Sequence, residues 1–256
     1  MSVIVKNIKK TFTLSKKQMK IDKTTSNLKV AVDGVSFEAM KGEVFGLLGP
    51  NGAGKTTTLR CIATLIKQDQ GEIYVNGIPT TDDINCKRNI GFLTNEIKIE
   101  EQMTPNYAMH YFGRFHNMTT DQIDARKEEL FKIFGVDKFQ EVKIGDLSTG
   151  MKQKVSIVVS LIHNPDIVIF DEPTNGLDVL TAKVVTDYLE HLAKAGKTVI
   201  ISTHIMSLAQ KICDRVGIII NGKMIVNDKL DNILDKFNSN DLEDIFFELY
   251  KEVSGE

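Results

Sequence analysis

The chain has 256 residues, 42% of them hydrophobic and 26% charged, and a net charge of −2. That length holds one large domain or two small ones with a substantial core, and the acid–base balance gives no sign of nucleic-acid binding. No apolar run approaches the roughly 18 residues of a membrane span, and Met1 to Lys6 lacks the apolar core of a signal peptide, so a cytoplasmic protein is expected.

In chain order, Val3-Ile4-Val5 reads as a strand, and the polar, Lys-, Ser- and Thr-rich stretch from Thr13 to Lys29 reads as a solvated loop. Val30 to Glu38 resumes strand character, with Asp33-Gly34 as a turn. Glu43 to Leu48 is an apolar strand, and Lys55 to Ile66 a helix. Glu72 to Val75 ends at the hairpin pair Asn76-Gly77. Thr104-Pro105 opens a helix as N-cap and first helical position. Ala108, Tyr111, Phe112 and Phe115 follow at helical spacing, which with Tyr107 predicts core packing. A second helix begins at Asp121 and ends at Gly135, and a third runs from Ser148 to Ile162. The last third alternates: strand Ile167–Phe170, helix Thr181–Ala195, strand Thr198–Ser202, short helix Ile205–Cys213, strand Val216–Ile220. Asn221-Gly222 then turns into Met224-Ile225-Val226. Leu242, Ile245, Phe246 and Leu249 stripe a final helix. Such alternation predicts a parallel sheet covered by helices. Cys61, Cys86 and Cys213 are few, odd in number and scattered, which predicts free thiols.

Gly49-Pro50-Asn51-Gly52-Ala53-Gly54-Lys55-Thr56-Thr57 fits the phosphate-binding spacing Gly-x-x-x-x-Gly-Lys-Ser/Thr between strand and helix. Glycines let successive N–H groups face one anion, and the helix N-terminus adds unsatisfied donors. Lys55 is suited to the β- and γ-phosphates, and the Thr56 hydroxyl to Mg2+. Asp171-Glu172 ends a buried strand, where α/β sheets bind ligands. Asp171 suits the Mg2+ shell and Glu172 suits general-base activation of a water. By itself such a pair is equally a solvated strand end.

Leu147-Ser148-Thr149-Gly150-Met151 resembles the Leu-Ser-Gly-Gly-Gln signature of the ATP-binding-cassette (ABC) ATPases. Phosphate loop, signature, Asp-Glu strand and Thr203-His204 occur in that family's order. The chain resembles ABC transporter ATP-binding subunits over nearly its whole length, with the closest likeness to the bacterial and archaeal NatA-like type for sodium extrusion or drug export. The resemblance implies an α/β P-loop NTPase fold with a mixed β core, an antiparallel β subdomain and a helical subdomain. The core and β subdomain would take about 1–95 and 164–230, the helical subdomain about 96–163, and a C-terminal helix about 241–252. It implies ATP and Mg2+ as ligands, with Asn51, Gly52, Ala53, Gly54, Lys55, Thr56 and Thr57 around the phosphates. It implies that Ser148 and Gly150 contact the γ-phosphate held by an opposite subunit. Asp178, in Asn175-Gly176-Leu177-Asp178, would communicate across the dimer, and His204 would sense the γ-phosphate. Phe12 reads either as an adenine platform or as plain core.

This chain departs from the family pattern in three places. Thr149 replaces a glycine and Met151 a glutamine. Asn95 stands where the family has a glutamine that reaches Mg2+, so its contact is direct, water-mediated or absent. By the resemblance, the helical insert receives an integral-membrane permease, which this chain powers as a homodimer or paired subunit, for export, at the inner membrane face. The alternative is a regulatory or assembly module acting on soluble proteins.

Overall fold

The computed structural model describes residues 3–21, 24–94 and 99–255. β1 (Val3–Thr13) pairs antiparallel with β2 (Leu28–Ala39) on one side and β4 (Gln70–Val75) on the other. β4 turns at Asn76-Gly77 into β5 (Ile78–Pro79), completing a four-stranded antiparallel sheet. The second sheet contains β3 (Val44–Leu48), β6 (Ile90–Leu93), β7 (Ile167–Asp171), β8 (Thr198–Thr203), β9 (Arg215–Ile220) and β10 (Lys223–Lys229). Its order is β10-β9-β3-β8-β7-β6, parallel throughout except for the β9–β10 hairpin. This is the mixed core with an antiparallel sheet that the resemblance implies.

The central strands are apolar on both faces because both faces are covered. In β3, Val44 and Leu48 enter one core while Phe45 and Leu47 enter the other. In β7, Val168 and Phe170 face the first core, and Ile167 and Ile169 the second. The second core lies between this sheet, the antiparallel sheet and α2 (Lys55–Ile62). The first is roofed by α4 (Pro105–Phe115), α5 (Thr120–Phe134), α6 (Thr149–Ser160), α7 (Val179–Lys194), α8 (Met206–Ile212), α9 (Leu230–Phe237) and α10 (Leu242–Ser254). No helix among the described residues is long and apolar enough to cross a membrane. All three cysteines are buried and free.

Four expectations are corrected. Asp33-Gly34 makes no turn, because β2 runs through it. Gly34 takes φ +78° where Asn7, at φ 47°, shifts the register of β1, so the local signal belongs to a bulge. The Lys-rich stretch is not wholly loop. Ser15 and Gln18 cap each other reciprocally and start α1 (Lys16–Ile21), which buries no residue. The helix after the phosphate loop stops at Ile62, and Thr64 sits at φ 58°. Three of the α4 aromatics are not core, since Tyr107, Tyr111 and Phe115 are 58%, 49% and 78% exposed, whereas Phe112 packs against the core as expected. α4 packs instead through Ala108, Met109 and Gly113. A Cβ at Gly113 would lie 2.5 Å from Ile123 of α5, so at that point the close approach of the two helices requires glycine. The sequence reading also passed over α3 (Asp83–Asn89) and α9.

Candidate active site

β3, β7 and β8 are parallel neighbours, with Leu48 opposite Thr203 and Asp171 opposite Ser202. Their C-terminal ends therefore bring the Gly49–Thr57 turn, Asp171-Glu172 and Thr203-His204 to one place. The turn needs glycine at two points. Gly49 holds φ 148°, and a Cβ there would lie 2.1 Å from the Ile219 carbonyl oxygen. Gly54 holds φ 104° as the N-cap of α2, and its Cβ would lie 2.2 Å from the Ala31 carbonyl oxygen. Being glycine, that cap offers no side chain to the first-turn N–H groups, and the first turn carries no acid. Such an end is built for an external anion. Asn51 and Gly52 are exposed, Ala53 is buried and Thr57 is half-buried in the first turn.

Lys55 is only 5% exposed. Its Nζ donates to the Gly49 and Pro50 carbonyls at 2.7 and 3.1 Å and lies 3.7 Å from Glu172 Oε1. Burial pulls its pKa below the lysine range, and the Glu172 and Asp171 charges oppose that pull. Thr56 Oγ1 donates to Asp171 Oδ1 at 3.1 Å. A hydroxyl whose proton is so committed presents only lone pairs elsewhere, which suits a hard cation. His204 Nδ1 lies 3.0 Å from the Glu172 carboxylate. Glu172 itself sits at φ 54°, an uncommon conformation for a residue with a side chain.

No group of three or more His, Cys, Asp or Glu able to hold a metal occurs among the described residues. The Thr56 hydroxyl and Asp171 carboxylate are hard oxygen donors and fit Mg2+, which is commonly held by one or two protein oxygens together with phosphate and water. Asn95 lies outside the described residues.

Other sequence-predicted site residues have their hydrogen-bond partners elsewhere. Ser148 caps α6, its Oγ accepting from Met151 N–H at 3.3 Å, and Gly150 follows in the first turn. Asp178 caps α7, accepting from the N–H groups of Leu180 and Thr181 and from the Thr181 hydroxyl. Those bonds, the Thr181 N–H first, hold its pKa below the carboxylate range. A Cβ on Gly150 would lie 3.8 Å from Asp178 Oδ2, so these two segments are neighbours. Among the described residues no hydrogen bond runs from Ser148, Gly150 or Asp178 to Lys55, Thr56 or Asp171. Phe12 belongs to neither core, is 38% exposed and has Lys10 Nζ 5.6 Å from its ring centre.

Two features escaped the sequence reading. Ser202, wholly buried in β8, hydrogen-bonds Asp171. Its signal was a lone serine after three aliphatic residues, Val199-Ile200-Ile201. The other is a cleft of about 700 Å³ beside α4, lined by Met103, Asn106, Tyr107, His110, Arg114 and Glu141. Asn106, Lys127, Asp124 and His110 satisfy one another around it, and Asn106 also donates to Glu141. The Arg114 guanidinium has no partner among the described residues.

Comparison with known proteins bears on this geometry. A family model described as ABC transporter matches residues 32–175. ABC transporter ATP-binding protein NatA of Bacillus subtilis (strain 168) is 41% identical over 218 residues, which cover 84% of this chain and 89% of that protein. Nod factor export ATP-binding protein I of Burkholderia lata is 34% identical over 198 residues, 77% of this chain and 65% of that protein. A solved ATP-binding subunit of an ABC transporter superposes with TM-score 0.85 at 26% identity, covering 97% of this chain and 99% of the other. A dimeric ATP-binding cassette in a post-hydrolysis state with ADP and Pi superposes with TM-score 0.76 at 28% identity, covering 89% and 98%.

Proposed function

Because this chain belongs to the family of ABC transporter ATP-binding subunits and is an ATPase of that fold, we propose that it closes as a dimer around ATP and drives a separately encoded membrane permease, for export. One observation carries this reading. Lys55, Thr56, Asp171, Glu172 and His204 are assembled within one chain, while Ser148 caps α6 and Gly150 lies in its first turn, neither hydrogen-bonded to that cluster among the described residues. A second copy supplies the missing half, its signature facing the γ-phosphate.

In this reading the N–H groups from Asn51 to Thr57 and the Lys55 ammonium hold the phosphates. Phe12 stacks on the adenine, its exposed ring being open to a base. Thr56 and Asp171 would hold Mg2+, and Asn95 would reach it directly, through a water or not at all. When bound, Mg2+ neutralises charge developing on the phosphate oxygens. Glu172 takes a proton from the attacking water, and His204 orients Glu172 and senses the γ-phosphate. Asp178 links the sites across the dimer. Phosphate release removes the bridging contacts, so the dimer opens.

The permease seats on the α4 cleft. Tyr107, His110, Tyr111 and Arg114 share one exposed helix face, at spacings of three, four and seven residues. An amphipathic helix with an apolar face and a carboxylate opposite Arg114 fits that surface. The protein then sits peripherally on the inner face of the membrane. Export rests on the likeness to Nod factor export ATP-binding protein I. The deciding experiment is purification from detergent extracts of the native source. A stoichiometric integral-membrane partner supports the reading. A purely soluble complex replaces it with a regulatory or assembly module.

A further inference from the structure

Ser202 grips both acids of the Asp171-Glu172 pair. It lies two residues before His204 on β8 and is wholly buried. Its Oγ–H donates in a close contact to Asp171 Oδ1, the oxygen that also accepts from Thr56. Its Oγ accepts from Glu172 N–H at 3.2 Å, and that N–H is shared with the Ser202 carbonyl at 3.1 Å. The donor of this hydroxyl and one of its acceptor lone pairs are thus spent on two adjacent acids. Its neighbours Val199, Ile200 and Ile201 are aliphatic and fully buried, so an unpaired hydroxyl there would be unfavourable.

The consequence lies in the geometry of the carboxylates. Two donors converge on Oδ1 of Asp171, while Oδ2 accepts no hydrogen bond among the described residues. That leaves the Oδ2 lone pairs to a water of the Mg2+ shell. The bond to Glu172 N–H acts where the backbone turns to φ 54°, a conformation that surrounding contacts must hold.

We propose that Ser202 is a positioning residue for the Mg2+–ATP site, fixing the orientation of the Asp171 carboxylate and the backbone from which Glu172 projects. This rests on the ATPase reading, with Asp171 serving the metal.

The test uses the full chain as wild type, Ser202→Ala, Ser202→Thr and Ser202→Cys. Affinity for a non-hydrolysable ATP analogue is measured in EDTA and in saturating Mg2+, with the Mg2+ half-saturation of hydrolysis and thermal midpoints alongside. For Ser202→Ala, affinity in EDTA should stay within about twofold, while the gain on adding Mg2+ should fall on the order of tenfold, the scale of one hydrogen bond to a charged group. The Mg2+ half-saturation should rise in parallel. Ser202→Thr keeps a hydroxyl and should restore the gain. Ser202→Cys, a near-isosteric weaker donor, should fall between and serves if threonine does not fit. An unchanged Mg2+-dependent gain in Ser202→Ala overturns the proposal whatever the thermal midpoint does. Equal losses in EDTA and Mg2+ also overturn it, since they place the defect in the phosphate loop. A wild-type chain with no Mg2+-dependent gain overturns the ATPase reading itself.

Discussion

Lys55 Nζ and Glu172 Oε1 face each other at 3.7 Å, so the lysine expected at the phosphates and the acid expected to act as base share one charge balance. The same carboxylate holds His204. In Glu172→Gln the amide keeps the shape but removes the charge and the base. ATP affinity should be kept or raised, because Lys55 loses a competing anion. Hydrolysis should fall at least about 100-fold, the lower range for losing a general base, and the ATP-bound dimer should accumulate. Steady-state hydrolysis and gel filtration with ATP check this; wild-type turnover in the variant removes Glu172 from the role.

Lys55→Ala tests the phosphate loop itself. A ligand that binds only the folded chain stabilises it by about 2.7 kcal/mol at one hundred times its dissociation constant. The wild-type thermal midpoint should therefore rise with ATP, and that of Lys55→Ala should not. An equal rise in both would show that the phosphates are held elsewhere.

Ser148 carries two roles that one substitution must separate. It caps α6, so Ser148→Ala or Ser148→Arg would lose about 1 kcal/mol of helix stability as well as any contact across the dimer. Ser148→Asp keeps the cap but sets a negative charge against the γ-phosphate. Its thermal midpoint should match the wild type, and the monomer should bind ATP normally. Dimer formation on ATP should disappear, as read by gel filtration or light scattering. A dimer that still forms would place Ser148 outside the interface.

Local spacing made most of this site legible. The Gly49–Thr57 turn, the acid pair and His204 each follow an apolar strand, and parallel neighbours bring such strand ends together without further information. Thr104, Gly135 and Ser148 acted as caps because cap chemistry involves only the adjacent turn. What depends on a partner element was not legible. The need for glycine at Gly113 of α4 is set by Ile123 of α5. The smooth course of β2 through Asp33-Gly34 is set by the bulge opposite it at Asn7. Ser202 looked like one more strand residue until Asp171 stood beside it.

Arg114 is the charged group at the α4 cleft for which the described residues offer no partner. Reversing it should leave basal hydrolysis within about twofold, because the side chain is exposed and lines a cleft that includes no phosphate-loop residue; surface changes usually cost within about 0.5 kcal/mol. Arg114→Glu should nonetheless lose co-purification with the permease. Restoration by a compensating acidic-to-basic change in the permease would identify the paired residue. Unaffected co-purification would move the docking surface elsewhere.

A stacked histidine pair predicts how the fold responds to acid. His163 stacks on His116 with ring centroids 4.0 Å apart. Its Nε2 lies 3.2 Å from the Ile90 carbonyl oxygen, so Nε2 carries the hydrogen and donates, leaving Nδ1 buried and without a partner among the described residues. Burial first, then the charge of His116, hold its pKa down at about 4 against the opposing Ile90 bond, with Lys197 and Arg126 adding smaller lowering effects. In the unfolded chain a histidine titrates near 6.5. Below about pH 6.5 the unfolded state takes up a proton that the folded state refuses, so stability is full above that pH and declines as pH falls toward 4. The loss over this window approaches about 3 kcal/mol. Urea midpoints at about pH 7.5 and about pH 4.5 should show it in the wild type. His163→Gln, which can still donate to Ile90 but cannot titrate, should show a clearly smaller drop. Equal drops in both proteins would assign the acid sensitivity to other groups.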